Sequence, residues 1–220
     1  MRIRVPKQIT PRDAVRLQRK LSPLVKETSE LPTPIHNLVG CDATYFSEIA
    51  IAAATQVRYA DQSLLKIRST TEHTRFPYIP GLLAFREAPV VLRAIRGLHA
   101  NDYVCLVDAH GIAHPRRFGL ACYVGLALDR PTIGVAKSLL YGQAEGSRVV
   151  DGEDGRILAE LVKTPGGKTI YVSVGHKISL EDAVLIVKHC MGSGGPVPIR
   201  LAHDEVTKRK WQLKNSNQAS

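Results

Sequence analysis

Between Thr10 and Leu24 the apolar positions recur at helical spacing, and from Leu38 onward they recur at the spacing of strands. Ala14, Leu17, Leu21 and Leu24 predict one packed face of a first helix, with Arg12, Arg16, Arg19 and Lys20 left in water. Thr10 supplies an N-cap oxygen, Pro11 takes the first helical position, Asp13 meets free backbone N–H groups, and Pro23 bends or ends the helix. Residues 31–37 form a connector. Strands are then expected over 38–46, 49–59 and 63–69. Their polar links, Ser47-Glu48 and Ala60-Asp61-Gln62, are too short for anything but antiparallel pairing.

After Pro77 to Gly81 the pattern predicts a helix over 82–98, an apolar strand over 103–107, a helix near 118–128 and a second short strand over 132–136. Strand and helix in alternation add parallel strands to the antiparallel meander. The result is an α/β fold: a mixed five-stranded sheet flanked by helices, the ribonuclease H-like arrangement. A late strand over 169–174 and a helix capped by Ser179 close it. The glycines between Met191 and Pro196 are expected to form an ordinary loop. Residues 1–207 are expected to form one domain and 208–220 a mobile basic tail.

Composition narrows the function classes. With 220 residues, 44% apolar and 23% charged, the chain can bury a sizeable core, which excludes a disordered protein and predicts a soluble one. Thirty Lys and Arg against twenty Asp and Glu give a net charge of +10, which suits a polyanionic partner such as nucleic acid or else a merely solubilising surface. No apolar run approaches a membrane span, and the first seven residues lack the apolar core of a signal peptide, so a cytoplasmic protein without a membrane partner is expected. Cys41, Cys105, Cys122 and Cys190 form no Cys-x-x-Cys pair and are expected to be reduced packing residues. His110 and His114 have helical spacing, but Gly111 and Pro115 argue against a helix there and so against zinc.

Acidic residues stand where burial would normally exclude them. Asp42 interrupts the apolar run Leu38-Val-Gly-Cys, Asp108 ends Tyr103-Val-Cys-Leu-Val, and Glu87 shares a helical stripe with Leu83, Val90, Val91 and Ala94, with Pro89 a possible kink. Two such charges about 4 Å apart repel by roughly 4 kcal/mol at an effective dielectric of about 20, so three need protonation, basic neighbours or a divalent cation. Oxygen ligands favour Mg²⁺, with Mn²⁺ as substitute. The competing reading is a structural ion pair for each acid, supplied by Arg58, Arg86, Arg93 or Lys137. Lys137 closes the strand Thr132-Ile-Gly-Val-Ala at the sheet end where sites gather; it is either a group that neutralises phosphate charge or a surface lysine. Gly134-Val-Ala-Lys-Ser is not a nucleotide-phosphate loop, because it lacks the required glycines.

Several long stretches in order resemble the endonuclease V family: Val39-Gly-Cys-Asp-Ala-Thr-Tyr, Pro77-Tyr-Ile-Pro-Gly-Leu-Leu-Ala-Phe-Arg-Glu, Val107-Asp-Ala-His-Gly-Ile-Ala-His-Pro-Arg-Arg-Phe-Gly, Arg130-Pro-Thr-Ile-Gly-Val-Ala-Lys-Ser and Tyr171-Val-Ser-Val-Gly-His-Lys. The resemblance implies a Mg²⁺-dependent endonuclease acting at inosine, the product of adenine deamination. It would hydrolyse the second phosphodiester bond 3′ of inosine, leave a 3′-hydroxyl and a 5′-phosphate, and serve DNA repair. It further implies that Asp42, Glu87 and Asp108 hold the metal and that Lys137 lies near the cleaved phosphate. His203 would stand near the metal centre as a fifth catalytic residue. Pro77, Tyr78, Ile79 and Pro80 would form a wedge that fills the gap left by the turned-out base, with Gly81 and Leu83 lining the base pocket and His114 near that pocket and the cleavage site.

Three positions depart from the family's usual pattern: Ala109 where Gly is common, Ala88 where Gly is frequent, and Val174 where Pro is usual. Ala109 bears on base specificity, since an added methyl there would tighten the pocket. The partner is expected to be DNA containing deoxyinosine, with inosine-containing RNA as the second candidate, and the chain to act as a monomer. Two other functions share the scaffold: a non-catalytic nucleic-acid-binding protein and a general hybrid or junction nuclease.

Overall fold

The computed structural model describes Ile3 and residues 8–218; the rest of the N-terminal stretch read above for a signal peptide, and residues 219–220 of the expected tail, lie outside the described residues. Helix α1 (Pro11–Leu21) starts as its sequence predicts, the Thr10 hydroxyl accepting the Asp13 N–H at 3.2 Å, and gives way to a single 3₁₀ turn at Ser22–Leu24. Its packed face is Ala14, Gln18 and Leu21 rather than the expected leucine stripe: Leu17 is half-buried and Leu24 exposed. Gln18 occupies the core position because its amide satisfies polar groups inside the protein, as described below.

Strands β1 (Asn37–Phe46), β2 (Ile49–Arg58) and β3 (Leu64–His73) form the antiparallel meander. Helix α2 (Leu83–Gly97) runs through Pro89 and leads to β4 (Tyr103–Val107), which lies parallel to β1. Helix α3 (Leu120–Leu128) leads to β5 (Thr132–Ala136), parallel to β4. The sheet does not stop at five strands. It continues through β9 (Thr169–His176), β8 (Ile157–Lys163), β7 (Arg148–Val150) and β6 (Gln143–Glu145), giving nine in the order β3-β2-β1-β4-β5-β9-β8-β7-β6. β6 and β7 are three residues each and β6 is wholly exposed, too short to display an alternating pattern.

Beyond α4 (Leu180–His189), capped by Ser179, the expected glycine loop is a tight hairpin of β10 (Met191–Gly192) and β11 (Gly195–Pro196). Helix α5 (Val197–Gln218) follows, so residues 208–218 continue a helix instead of trailing as a mobile tail. Its buried Ala202 and Val206 and half-buried Leu213 pack on Ile51 and Ala53 of β2, an apolar anchor that the basic composition of 208–214 conceals.

β2 explains the layers. Ala50, Ala52 and Ala54 join the core cluster that includes Val90, Val91 and Ala94 of α2, while Ile51 and Ala53 face α5. A strand covered on both faces shows a nearly unbroken apolar run. At Gly40 a Cβ would lie 2.2 Å from the Pro198 carbonyl carbon, so the start of α5 sits directly on the β1 backbone, and the Thr55 hydroxyl donates to the Pro198 carbonyl at 2.7 Å. All four cysteines are free and buried.

Candidate active site

The carboxylates of Asp42 and Asp108 are brought together by parallel pairing. Cys41 of β1 pairs with Val107 of β4, and the Asp108 N–H donates to the Cys41 carbonyl at 3.0 Å, so the two acids leave adjacent strands side by side. Asp42 is buried, accepts the Ala43 N–H on Oδ1 at 2.7 Å and meets His203 Nδ1 on Oδ2 at 2.8 Å. Asp108 Oδ2 accepts a hydrogen bond from Lys137 Nζ at 2.5 Å. Asp42, Asp108 and His203 each offer a ligand atom within 4.8 Å of the other two, the one such cluster of metal-binding side chains among the described residues.

Electrostatics follow this geometry. Burial and then the Asp108 charge push the Asp42 carboxyl above its ordinary range, against the opposing pull of His203, Lys137 and the Ala43 N–H. Burial acts to lower the Lys137 ammonium, but its hydrogen bond to Asp108 and the charges of both aspartates outweigh that and raise it. Lys137 thus supplies a basic neighbour for Asp108, while Asp42 keeps a raised carboxyl whose charged form a divalent ion would favour.

Glu87 approaches from the other side. Cys41, Ala43 and Tyr45 of β1 pack in the core on the α2 side, while alternation turns Asp42 toward α5 and His203. Glu87 is buried on α2, where its Oε1 accepts the Tyr45 hydroxyl at 3.0 Å. Burial raises its carboxyl to about 8, with the charges of Asp42 and Asp108 adding to the rise and Tyr45 and Arg86 opposing it. Glu87 thus adjoins the cluster without entering the 4.8 Å group, whereas His203 enters it. Of the four cations considered as ion-pair partners, Lys137 pairs with Asp108, while the arginines bond elsewhere: Arg58 to Asp61, Arg93 to Glu72, and Arg86 to the Phe76 carbonyl and over the Tyr45 ring.

The loop from Pro77 to Gly81 stands at the start of α2. Tyr78 is 71% exposed, Pro80 is exposed, and Ile79 and Leu83 are half-buried. Gly81 closes the loop at φ +78°, and a Cβ there would lie 2.7 Å from Arg116 Nη2. Its carbonyl accepts three hydrogen bonds, from Arg116 Nη2 at 2.7 Å, His114 Nε2 at 2.9 Å and Gln18 Nε2 at 3.0 Å. His114 also accepts the Arg116 N–H on Nδ1 at 3.2 Å, which fixes the neutral tautomer; burial and then the Arg116 charge lower it to about 4. The Ala109 N–H donates to the Val107 carbonyl at 2.7 Å.

A family model described as Endonuclease V matches residues 19–204. The chain is 44% identical over 199 residues to an Endonuclease V of Desulfurococcus amylolyticus, covering 86% of this chain and 90% of the relative. It is 39% identical over 206 residues to one of Thermofilum pendens, covering 91% and 89%. The chain belongs to the endonuclease V family. Solved structures of endonuclease V share the fold: that of Streptomyces avermitilis at a TM-score of 0.84 and 29% identity, covering 99% of this chain and all of that one, and that of Ciona intestinalis, in complex with DNA containing an inosine followed by a ribo-adenosine, at 0.85 and 26%, covering 92% and 98%.

This endonuclease thus carries Asp42, Tyr78, Glu87, Asp108, His114, Lys137 and His203 inside the family-matched segment, while the last turns of α5 lie beyond it. Sequence reasoning missed Gln18, Arg116 and Tyr45. Gln18 left a signal: a polar residue four after Ala14 and three before Leu21 holds a core position, which demands internal hydrogen-bond partners. Tyr45 left none beyond its place on the strand that carries Asp42.

Proposed function

We propose that this endonuclease recognises inosine in nucleic acid and, with Mg²⁺, hydrolyses the second phosphodiester bond 3′ of it, leaving a 3′-hydroxyl and a 5′-phosphate. The reading rests on one observation above all, the convergence of Asp42, Asp108 and His203 in a member of this family. The inosine followed by a ribo-adenosine in the DNA bound by the Ciona relative supports an inosine-containing strand as the substrate; deoxyinosine in DNA is the substrate we propose, and repair of deaminated adenine the role. We place the enzyme in the cytoplasm as a monomer; no helix among the described residues is long and apolar enough to cross a membrane.

Asp42, Asp108 and His203 would hold the ion, with Glu87 adjoining it; the two carboxylates suit Mg²⁺ and Mn²⁺, and the imidazole suits Mn²⁺ better than Mg²⁺. When bound, the ion supplies Lewis-acid polarisation of the phosphate and a more acidic water. Lys137 presents an exposed ammonium at the mouth of this site, where it neutralises charge gathering on the cleaved phosphate. Tyr78 offers an unburied ring to stack in the gap that a turned-out base leaves. Gln18, His114 and Arg116 hold the Gly81 carbonyl, so the loop keeps its shape before substrate arrives.

Nicking assays with Mg²⁺ on inosine-containing and unmodified DNA and RNA strands, with Asp108→Ala run alongside, test this reading. Expected is cutting at the second 3′ linkage of the inosine strands alone, with a phosphatase-sensitive 5′ end, abolished in the variant. Equal cutting of unmodified strands, or full activity in Asp108→Ala, overturns it. The relative turnover of the DNA and RNA strands decides the natural substrate.

A further inference from the structure

Helix α5 carries the protein's one tryptophan, Trp211, in the part of the chain beyond the family-matched segment, and 65% of it is exposed. At 3.6 residues per turn, with Ala202, Val206 and Leu213 facing the sheet, His203, Thr207, Lys210 and Lys214 fall on one flank, with Trp211 on its outer border. His203 and Trp211 line one shallow groove with Asp204, Thr207 and Lys208. Between Arg200 and Lys214 the helix has five basic residues and two acidic ones, and both acids are already paired, Asp204 with Arg200 and Glu205 with Arg209. Lys208, Lys210 and Lys214 make no ion pair among the described residues, so their charge is available to a polyanion.

We propose that this flank of α5 binds the nucleic-acid strand where it leaves the metal site on the 3′ side, Lys210 and Lys214 meeting phosphates and Trp211 stacking on a base. The inference rests on the function proposed above and extends its substrate contacts. The flank is continuous with the metal site, since His203 at its head touches Asp42. Direction follows from the layers. The Tyr78 loop opens α2 on one side of the sheet, α5 covers the other, and the clustered acids lie between, so a strand that passes Tyr78 and then the acids arrives at α5. Eight residues separate His203 from Trp211, about 12 Å of helix, the length of three to four nucleotides of a strand that keeps the stacked rise of about 3.4 Å each. Exposed aromatic rings beside unpaired lysines are what single-stranded nucleic acid uses without regard to sequence.

A single tryptophan makes the test direct. Emission excited selectively from Trp211 is followed as fluorescein-labelled inosine oligonucleotides of graded 3′ length are added in EDTA, with anisotropy reporting binding. Expected is quenching by about half once the strand extends about four nucleotides past the scissile bond, and none with strands ending at that bond. Trp211→Ala weakens binding of the long strand about ten-fold and leaves the short strand unchanged, Trp211→Phe restores most of the loss, and Lys210→Ala with Lys214→Ala lowers the salt slope by about 1.4. Binding and inosine cleavage with unmoved Trp211 emission overturn this assignment alone. Failure of any oligonucleotide to bind overturns it together with the functional reading. An emission change that tracks protein concentration without nucleic acid means a second copy covers Trp211, and also overturns it.

Discussion

Gln18, buried on the first helix, donates to the carbonyl of Gly81, sixty-three residues away, at 3.0 Å. The same amide donates to the Phe118 carbonyl at 2.9 Å and accepts from Arg116 Nε at 2.6 Å, so one side chain ties α1, the Tyr78 loop and the 114–118 segment into a single unit. Replacing it by leucine keeps the volume and strands a buried carbonyl and a guanidinium. Gln18→Leu is expected to cost about 2–3 kcal/mol in urea unfolding. It should also blur the discrimination between inosine and adenosine strands more than it lowers cutting of the inosine strand at saturation. Unchanged discrimination would reduce Gln18 to a packing role.

Gly81 is the second point of that tie. Alanine there meets both a left-handed backbone, φ +78°, and Arg116 Nη2 at 2.7 Å. The guanidinium is the end of a flexible side chain and can retreat, so the backbone governs the cost, about 1–2 kcal/mol. Gly81→Ala is expected to raise the substrate concentration needed for half-maximal nicking, with a smaller change in the maximal rate, in steady-state assays across substrate concentration.

Lys137 touches Asp108 and His203 touches Asp42, and the function proposed above gives the two different work. His203→Ala removes a ligand atom and should raise the Mg²⁺ concentration for half-maximal activity about ten-fold or more. Lys137→Ala frees the Asp108 carboxylate and should leave that concentration unchanged or lower, while turnover falls about a hundred-fold. Mg²⁺ titrations of the two variants separate the roles; coincident curves would contradict this division.

Acid should loosen the Gly81 tie through His114. Its imidazole is held at about 4 in the fold, below the ordinary 6.5, because burial and then Arg116 disfavour the cation. The unfolded chain therefore binds more protons than the folded one between these values, and stability falls as pH drops through that window. The loss attributable to His114 is about 2–3 kcal/mol between pH 7 and 4.5. Urea midpoints at the two pH values, for the parent and for His114→Gln, should show a smaller drop in the variant.

Much of the fold was legible because burial leaves a mark on apolar residues. The apolar run Ile49 to Ala54 marks a buried strand, and α2 and α5 cover its two faces. Asp42 and Asp108 were visible as acids in apolar strands, and parallel pairing of β1 with β4 makes them neighbours. The strands β6 and β7 left no period because three residues cannot display one. Helix α5 was overlooked behind the glycines before it, although Pro198 in its first turn, followed by Ile199, Ala202 and Val206, marks a helix start with an apolar face. That His203 and not Glu87 lies within 4.8 Å of both aspartates depends on which face of β1 each residue meets, information carried only by that helix.

The contact between Pro198 and Gly40 makes β1 intolerant of any side chain at that position, since the atoms it would meet are backbone and cannot retreat. A methyl group there would lift the first turn of α5 away from the strand. His203 rides on the same helix, and Asp42 lies two residues along the same strand, so the lever would open the gap between imidazole and carboxylate.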